Sequence, residues 1–421
     1  MSVTSNLRRQ VVIWLAVIAA VCLLPLVFRS GSTLSMMNLM GIMIIAALSY
    51  NILYGSTGLL SFGHAIYLGL GGYITIHTMN FAIEHDLPVP AAVFPLLGGV
   101  SGLFFAAVSG WICTRRAGTS FAMITLGLGE LVVALSLIMT GFFGEEDGFS
   151  TNRTKLAHLF GYSLGPQIQV YYLIAFWGLA SALAMFAIRR TAFGVACSAV
   201  RDNPERAEFI GYDPHRVRYI AFCIAGFFAG LAGALSVINF EIINATSLSG
   251  ATSGNLLLMT YIGGSTSFVG PIIGATLITF LRIMLSDITP AWLMYYGSLF
   301  MVIIMYLPGG LAALIAAHWR AAKQGRISHL LPAYAVLSLP VALFLAGFVT
   351  LVELLYRVFG HNNPVPVDFT IAGVVLNSHD PVAWTLAVTA LVAGAMLIRR
   401  LWSLIDDAWH AEHNAMVEAT Q

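Results

Sequence analysis

Glu130 is the only ionisable residue between Phe121 and Gly144. A charged side chain at the middle of a bilayer costs about 2.5–3.5 kcal/mol on insertion scales, so this carboxyl must face a cavity, find a partner or keep its proton. It could relay protons, meet a solute, or hydrogen-bond between packed helices. His64, in the turn Ser61-Phe62-Gly63-His64-Ala65, either caps backbone or lines a polar path. Hydroxyls gather at Ser56, Thr57 and Ser61, and again at Ser265 and Thr266, where they could serve a polar solute. No H-E-x-x-H or H-x-x-E-H spacing is present, which argues against a metal site. The two lysines, Lys155 and Lys323, lie outside any G-x-x-x-x-G-K-[ST] pattern, so the chain has no phosphate-binding loop. Cys22, Cys113, Cys197 and Cys223 show no C-x-x-C spacing and read as small apolar residues.

The elements that carry these residues must be membrane helices. Of 421 residues, 58% are hydrophobic and 9% charged, against about 25% charged in an ordinary soluble domain. Ser30–Ile83 and Ile242–Leu281 contain no Asp, Glu, Lys or Arg. Roughly 20 apolar residues cross a bilayer. The fold class is therefore an all-α polytopic membrane protein. Soluble enzymes, nucleic-acid binders and disulfide scaffolds are excluded, and no convergent nucleophile or acid/base cluster favours a membrane-embedded enzyme.

Twelve apolar segments can be drawn as spans, ten of them within residues 1–315. The first, Val11–Phe28, is too long for a signal-peptide core and lacks a small-residue cleavage site, so it reads as a retained span. The eighth, Gly254–Gly264, is too short to cross alone and either extends toward Thr246 or is broken. With both termini in the cytoplasm, the inner loops hold Arg8-Arg9, Arg115-Arg116, six arginines from Arg189 to Arg218, Arg320, Lys323 and Arg326, and Arg399-Arg400. These are fifteen of the twenty basic residues. A basic hinge at 316–331 leads to two further spans at 332–400. The tail 401–421 spaces its apolar residues as an amphipathic helix. Arg153 and Lys155 lie in an outer loop, where they either meet a docked protein or stay solvated.

Two segments repeat a pattern. Tyr54-Gly55-Ser56-Thr57-Gly58 begins one hairpin, and Gly263-Gly264-Ser265-Thr266 begins another six spans later. Such glycine clusters serve either close helix packing or unwound backbone beside a transport path. Gly226, Gly230 and Gly233 read instead as a packing face. The inner loop 191–219 contains a short helix capped by Asn203, with Pro204 in its first turn and Gly211 at its end.

That loop, TAFGVACSAVRDNPERAEFIGYDPHRVRY, resembles the coupling loop of permease subunits from branched-chain amino acid ABC importers. NILYGSTGLLSFGHAIYLGLGGY, TSFAMITLGLGEL, AFCIAGFFAGLAGAL, YIGGSTSFVGPIIGA and MYLPGGL resemble further signatures of the same family, in order, over roughly residues 30–315. The similarity is to the M-type of its two permease subunits. It implies a multi-pass protein of the bacterial inner membrane, with a distinct H-type permease as its heterodimer partner. Two ATPase subunits that bind ATP and magnesium, and an extracytoplasmic substrate-binding protein, complete the assembly. This chain itself would bind no cofactor and no nucleic acid. Arg201, Asp202, Asn203, Pro204, Glu205 and Gly211 would seat in the ATPase. Tyr54, Ser56, Thr57, Gly58, Ser61, His64, Glu130, Ser265 and Thr266 would line the substrate path. The alternative is a stand-alone secondary transporter that couples to protons through Glu130 and His64. The resemblance does not reach the last hundred residues.

Overall fold

The computed structural model describes residues 3–28, 30–145, 147–157, 164–307, 309–323, 327–359, 368–371, 374–377 and 380–418. Helices dominate. They are α1 (Val3–Val27), α2 (Gly31–Thr57), α3 (Ala65–Glu84), α4 (Phe94–Cys113), α5 (Thr119–Ile138), the single turn α6 (Thr140–Phe143), α7 (Gln167–Arg190), α8 (Ala192–Asp202), α9 (Pro204–Phe209), α10 (Pro214–Phe240), α11 (Gly250–Gly263), α12 (Gly270–Ile288), α13 (Trp292–Tyr306), α14 (Gly310–Lys323), α15 (Ile327–Phe359) and α16 (Pro381–Glu418). Two small antiparallel pairs complete the structure: β1 (Phe149–Ser150) with β2 (Ile242–Ile243), and β3 (Asp368–Ile371) with β4 (Val374–Asn377).

Among the described residues nine helices are long and apolar enough to cross a membrane, or ten if the bent pair α13–α14 is one span. Two of the twelve expected spans differ. α3 is diluted by Thr75, His77, Thr78 and Asn80. α11 reaches back to Gly250 but has only 14 residues, so it rises about 21 Å where the hydrocarbon core measures about 30 Å. A 3₁₀ turn at Ala245–Leu248 and the β1–β2 pair precede it. The eighth segment is thus a partial span entered through irregular backbone, which membranes tolerate only beside protein or a water-filled cavity.

The chain forms two compact units. The first comprises residues 1–283 and 302–312. At its centre α10 packs on α4, α3 and α2. The expected packing face is used: a Cβ on Gly230 would overlap the Gly98 carbonyl, so only a missing side chain lets α4 and α10 approach this closely. α2 begins at Ser30, whose hydroxyl accepts from Thr33 N–H at 3.3 Å. It ends at Gly58, where φ is +70°, a turn glycine makes without a Cβ penalty.

The second unit comprises residues 284–301 and 313–421, and within it α15 packs on α16. Met284–Met301, which the sequence reading assigns to the core, falls here for a visible reason. The Glu353 carboxylate on α15 accepts from the Thr289 hydroxyl at 2.6 Å and the Tyr295 hydroxyl at 3.2 Å. The expected hinge is helical as far as Lys323, within α14, which bends 59° away from α13. The tail is the end of α16; its side chains from residue 404 onward lie outside the described residues.

Candidate functional site

The two Gly-Ser-Thr segments meet. Gly55 lies so close to the carbonyl of Ser265 that no side chain fits between them. Beside them, the rings of Tyr54, next to Gly55 on α2, and Tyr261 on α11, four residues before Ser265, stand 6.2 Å apart. Arginines from the α7–α8 region grip both segments. Arg201 Nη1 donates to the Gly55 carbonyl at 2.6 Å, and Arg189 Nη2 donates to the Thr266 carbonyl at 2.7 Å. Carbonyls at a helix C-terminus carry the negative end of its dipole, which guanidinium groups stabilise. Arg201 also lies alongside Gly58, and its Nε pairs with Asp202 at 2.9 Å.

The other predicted path residues divide into two sets. Tyr54, Ser56 and Ser265 are half-buried, and Gly58 and Thr266 are exposed. Ser56 borders a small cavity with Asn51, Arg189, Phe193 and Cys197; burial pushes the Cys197 thiol up to about 12, so it stays protonated. Thr57, Ser61 and His64 are buried instead. The Thr57 hydroxyl donates to Leu53 O at 2.6 Å, and the Ser61 carbonyl accepts from Tyr50 at 2.9 Å. The Ser49 hydroxyl gives its one proton to Ala225 O at 3.0 Å, so His64 Nε2 is the donor across the 2.7 Å contact to Ser49. His64 therefore ties α2 to the start of α3 within the core. Ser253, on α11, caps α3 by accepting from Ala65 N–H at 2.9 Å.

Glu130 is exposed on α5. Its Oε1 lies 3.4 Å from where a Cβ of Gly250 would stand, at the first residue of α11 and therefore near the positive end of that helix dipole. Gly127 and Gly254 leave open space where a Cβ would stand, so neither adds bulk beside the carboxyl. An exposed acid at this depth needs a polar cavity or another chain rather than lipid. Among the described residues no group of three His, Cys, Asp or Glu could hold a metal.

On the 191–219 segment, Asn203 Oδ1 accepts from Arg206 N–H at 2.9 Å, Pro204 starts α9, and Gly211 turns with φ +94°. Arg201, Asp202, Glu205 and Gly211 are all exposed, and Arg201 differs in that its Nη1 reaches the Gly55 carbonyl. What the sequence reading missed is Phe209 and Ile210, 91% and 69% exposed at the tip. The available signal was length: a six-residue helix buries only Ala207 and leaves its last apolar pair in water.

The loop between α6 and α7 brings a correction. Arg153, expected at a surface, is 8% exposed. Its guanidinium donates to the carbonyls of Ile238 (3.0 Å), Asn239 (2.9 Å) and Leu164 (2.7 Å) and to Gln167 Oε1 (3.1 Å). It thereby closes the C-terminus of α10, where Glu241 takes a left-handed φ of +59°. Lys155 is exposed.

Comparison with known proteins matches residues 32–308 to the family described as branched-chain amino acid transport system / permease component. The Escherichia coli K12 high-affinity branched-chain amino acid transport system permease protein LivM is 26% identical over 306 residues, covering 67% of this chain and 70% of that protein. The Salmonella typhimurium LivM is 26% identical over 329 residues, covering 73% and 76%. The Shigella flexneri autoinducer 2 import system permease protein LsrC is 27% identical over 257 residues, covering 58% and 69%. No solved structure matches.

Proposed function

Because the chain belongs to the branched-chain amino acid transport system permease family, we propose that it is the membrane subunit of an ATP-driven importer for branched-chain or other hydrophobic amino acids, or a related small organic solute. The LivM relatives favour amino acids, and LsrC widens the class to other small solutes. Its partners are a second, H-type permease, two ATPase subunits that hold ATP and magnesium, and a binding protein outside. It lies in the bacterial inner membrane with both termini in the cytoplasm, the orientation favoured by its basic loops.

The observation that carries the mechanism is the 2.6 Å bond from Arg201 to the Gly55 carbonyl. A loaded binding protein docks outside, and ATP binding closes the ATPase pair against the 191–219 loop. Phe209 and Ile210 enter the ATPase surface, with Asp202 and Glu205 beside them. Arg201 and Arg189 then carry the displacement to the two Gly-Ser-Thr segments, and the Tyr54–Tyr261 constriction opens or closes. The path runs from Glu130 past that pair to Ser265 and Thr266. The burial of His64 argues against the proton-coupled alternative.

The test is purification of the tagged chain from its native host in mild detergent, with mass spectrometry of what accompanies it. A second permease and ATPase subunits should be recovered, and Phe209→Asp should release the ATPases. A chain that purifies alone and drives uptake with a proton gradient and no ATP refutes the importer.

A further inference from the structure

Helix α14 presents three faces. Ala321 is fully buried, and on the same side His318 meets α15: its Nδ1 donates to Leu314 O at 2.9 Å, so its Nε2 accepts from the Tyr334 hydroxyl at 2.9 Å. The two rings stack at 23°. Ile315, Trp319 and Ala322 share a second face, where Ile315 is 51% and Trp319 64% exposed. Arg320 and Lys323 form the third edge, also exposed, with Lys323 Nζ 5.8 Å from the Trp319 ring centre. The helix carries no acidic residue.

We propose that this surface binds an anionic phospholipid. One acyl chain lies along the open apolar face formed by Leu314, Ile315, His318, Trp319 and Ala322, and the phosphate is held by Arg320 and Lys323. The geometry fits a membrane interface rather than its interior. α14 leaves the line of α13 by 59°, and an amphipathic helix with Trp on one face and cations beside it lies in the headgroup plane. Lys and Arg stems cover apolar surface while their charges reach outward. Positive charge without any acid on the helix selects a phosphate bearing net negative charge over a zwitterionic headgroup. The proposal does not depend on which solute is carried or on what supplies the energy.

The experiment uses the full chain with its co-purifying subunits, reconstituted into phosphatidylcholine vesicles that contain a minor fraction of dibrominated lipid. The difference in emission between wild type and Trp319→Phe isolates the signal of Trp319. Dibrominated phosphatidylglycerol should quench that signal at a concentration on the order of tenfold below dibrominated phosphatidylcholine, the preference expected for two basic groups near a headgroup. The double variant Arg320→Gln/Lys323→Gln should bring the two lipids together without loss of quenching. Equal quenching by both lipids in the wild type overturns the headgroup preference. No quenching by either shows that water or another protein covers the face, and overturns the site.

Discussion

Arg201 and Gly55 are separated by 146 residues in the chain, and the guanidinium of one closes on the carbonyl of the other at 2.6 Å. The contact fastens α8 to the backbone of the last turn of α2 through a single side chain. A push on α8 therefore displaces backbone in α2, and through Gly55 it reaches the backbone at Ser265.

Arg201→Ala should separate ATP hydrolysis from transport. The assembled complex keeps its ATPase activity, while uptake into proteoliposomes falls by about tenfold, the equivalent of ~1.4 kcal/mol. Paired measurements of phosphate release and solute uptake decide it; a parallel fall in both would assign Arg201 to assembly rather than transmission.

Phe209→Asp and Ile210→Asp should leave the stability of the chain, followed by thermal unfolding, within about 0.5 kcal/mol of wild type, because both side chains face solvent. Recovery of ATPase subunits on affinity purification should drop sharply for each. Retention of those subunits would place the docking surface elsewhere on the loop.

Glu130→Gln should fold and assemble normally yet reduce uptake by about tenfold. Glu130→Asp, which retains the charge, should recover part of it. Uptake at the wild-type rate for Glu130→Gln would remove Glu130 from the solute path.

His64→Ala should lower stability by about 3 kcal/mol, since it empties a packed site and strips Ser49 of its donor. The double variant Ser49→Ala/His64→Phe replaces the bonded pair with apolar groups and should regain much of that loss. If the double variant transports, His64 is not a proton carrier; a stable but inactive double variant would return the residue to the mechanism.

Arg153→Ala should be among the most damaging changes outside the spans, costing about 3 kcal/mol or more by leaving buried carbonyls unpaired. Lys155→Ala should be silent by the same thermal assay.

Membrane class and helix content were legible from two long uncharged runs, because hydrocarbon solvation leaves few alternatives for such sequences. The capped start of α9 was legible too: Asn203-Pro204 and Gly211 each act on their immediate neighbours. Residues whose roles depend on distant partners were not legible. Nothing near His64 in sequence reveals Ser49 and Ala225, so backbone cap and path residue read equally well, and Arg153 reads as a surface group, docked or solvated, because its acceptors lie beyond the loop. The grouping of Met284–Met301 with the extension depends on Glu353, 64 residues after Thr289. Short-range chemistry reads from the sequence; long-range satisfaction of polar groups does not.

The Arg153 clamp also sets a timetable. Its guanidinium takes acceptors from Ile238 and Asn239, 85 and 86 residues later in the chain. At ordinary rates of synthesis those carbonyls arrive on the order of ten seconds after the arginine. During that interval the loop around Arg153 lacks the acceptors that bury it and lies open to proteases and chaperones. Insertion of α10 ends the interval, so the fate of a nascent copy is decided by whether its seventh long apolar segment arrives in time.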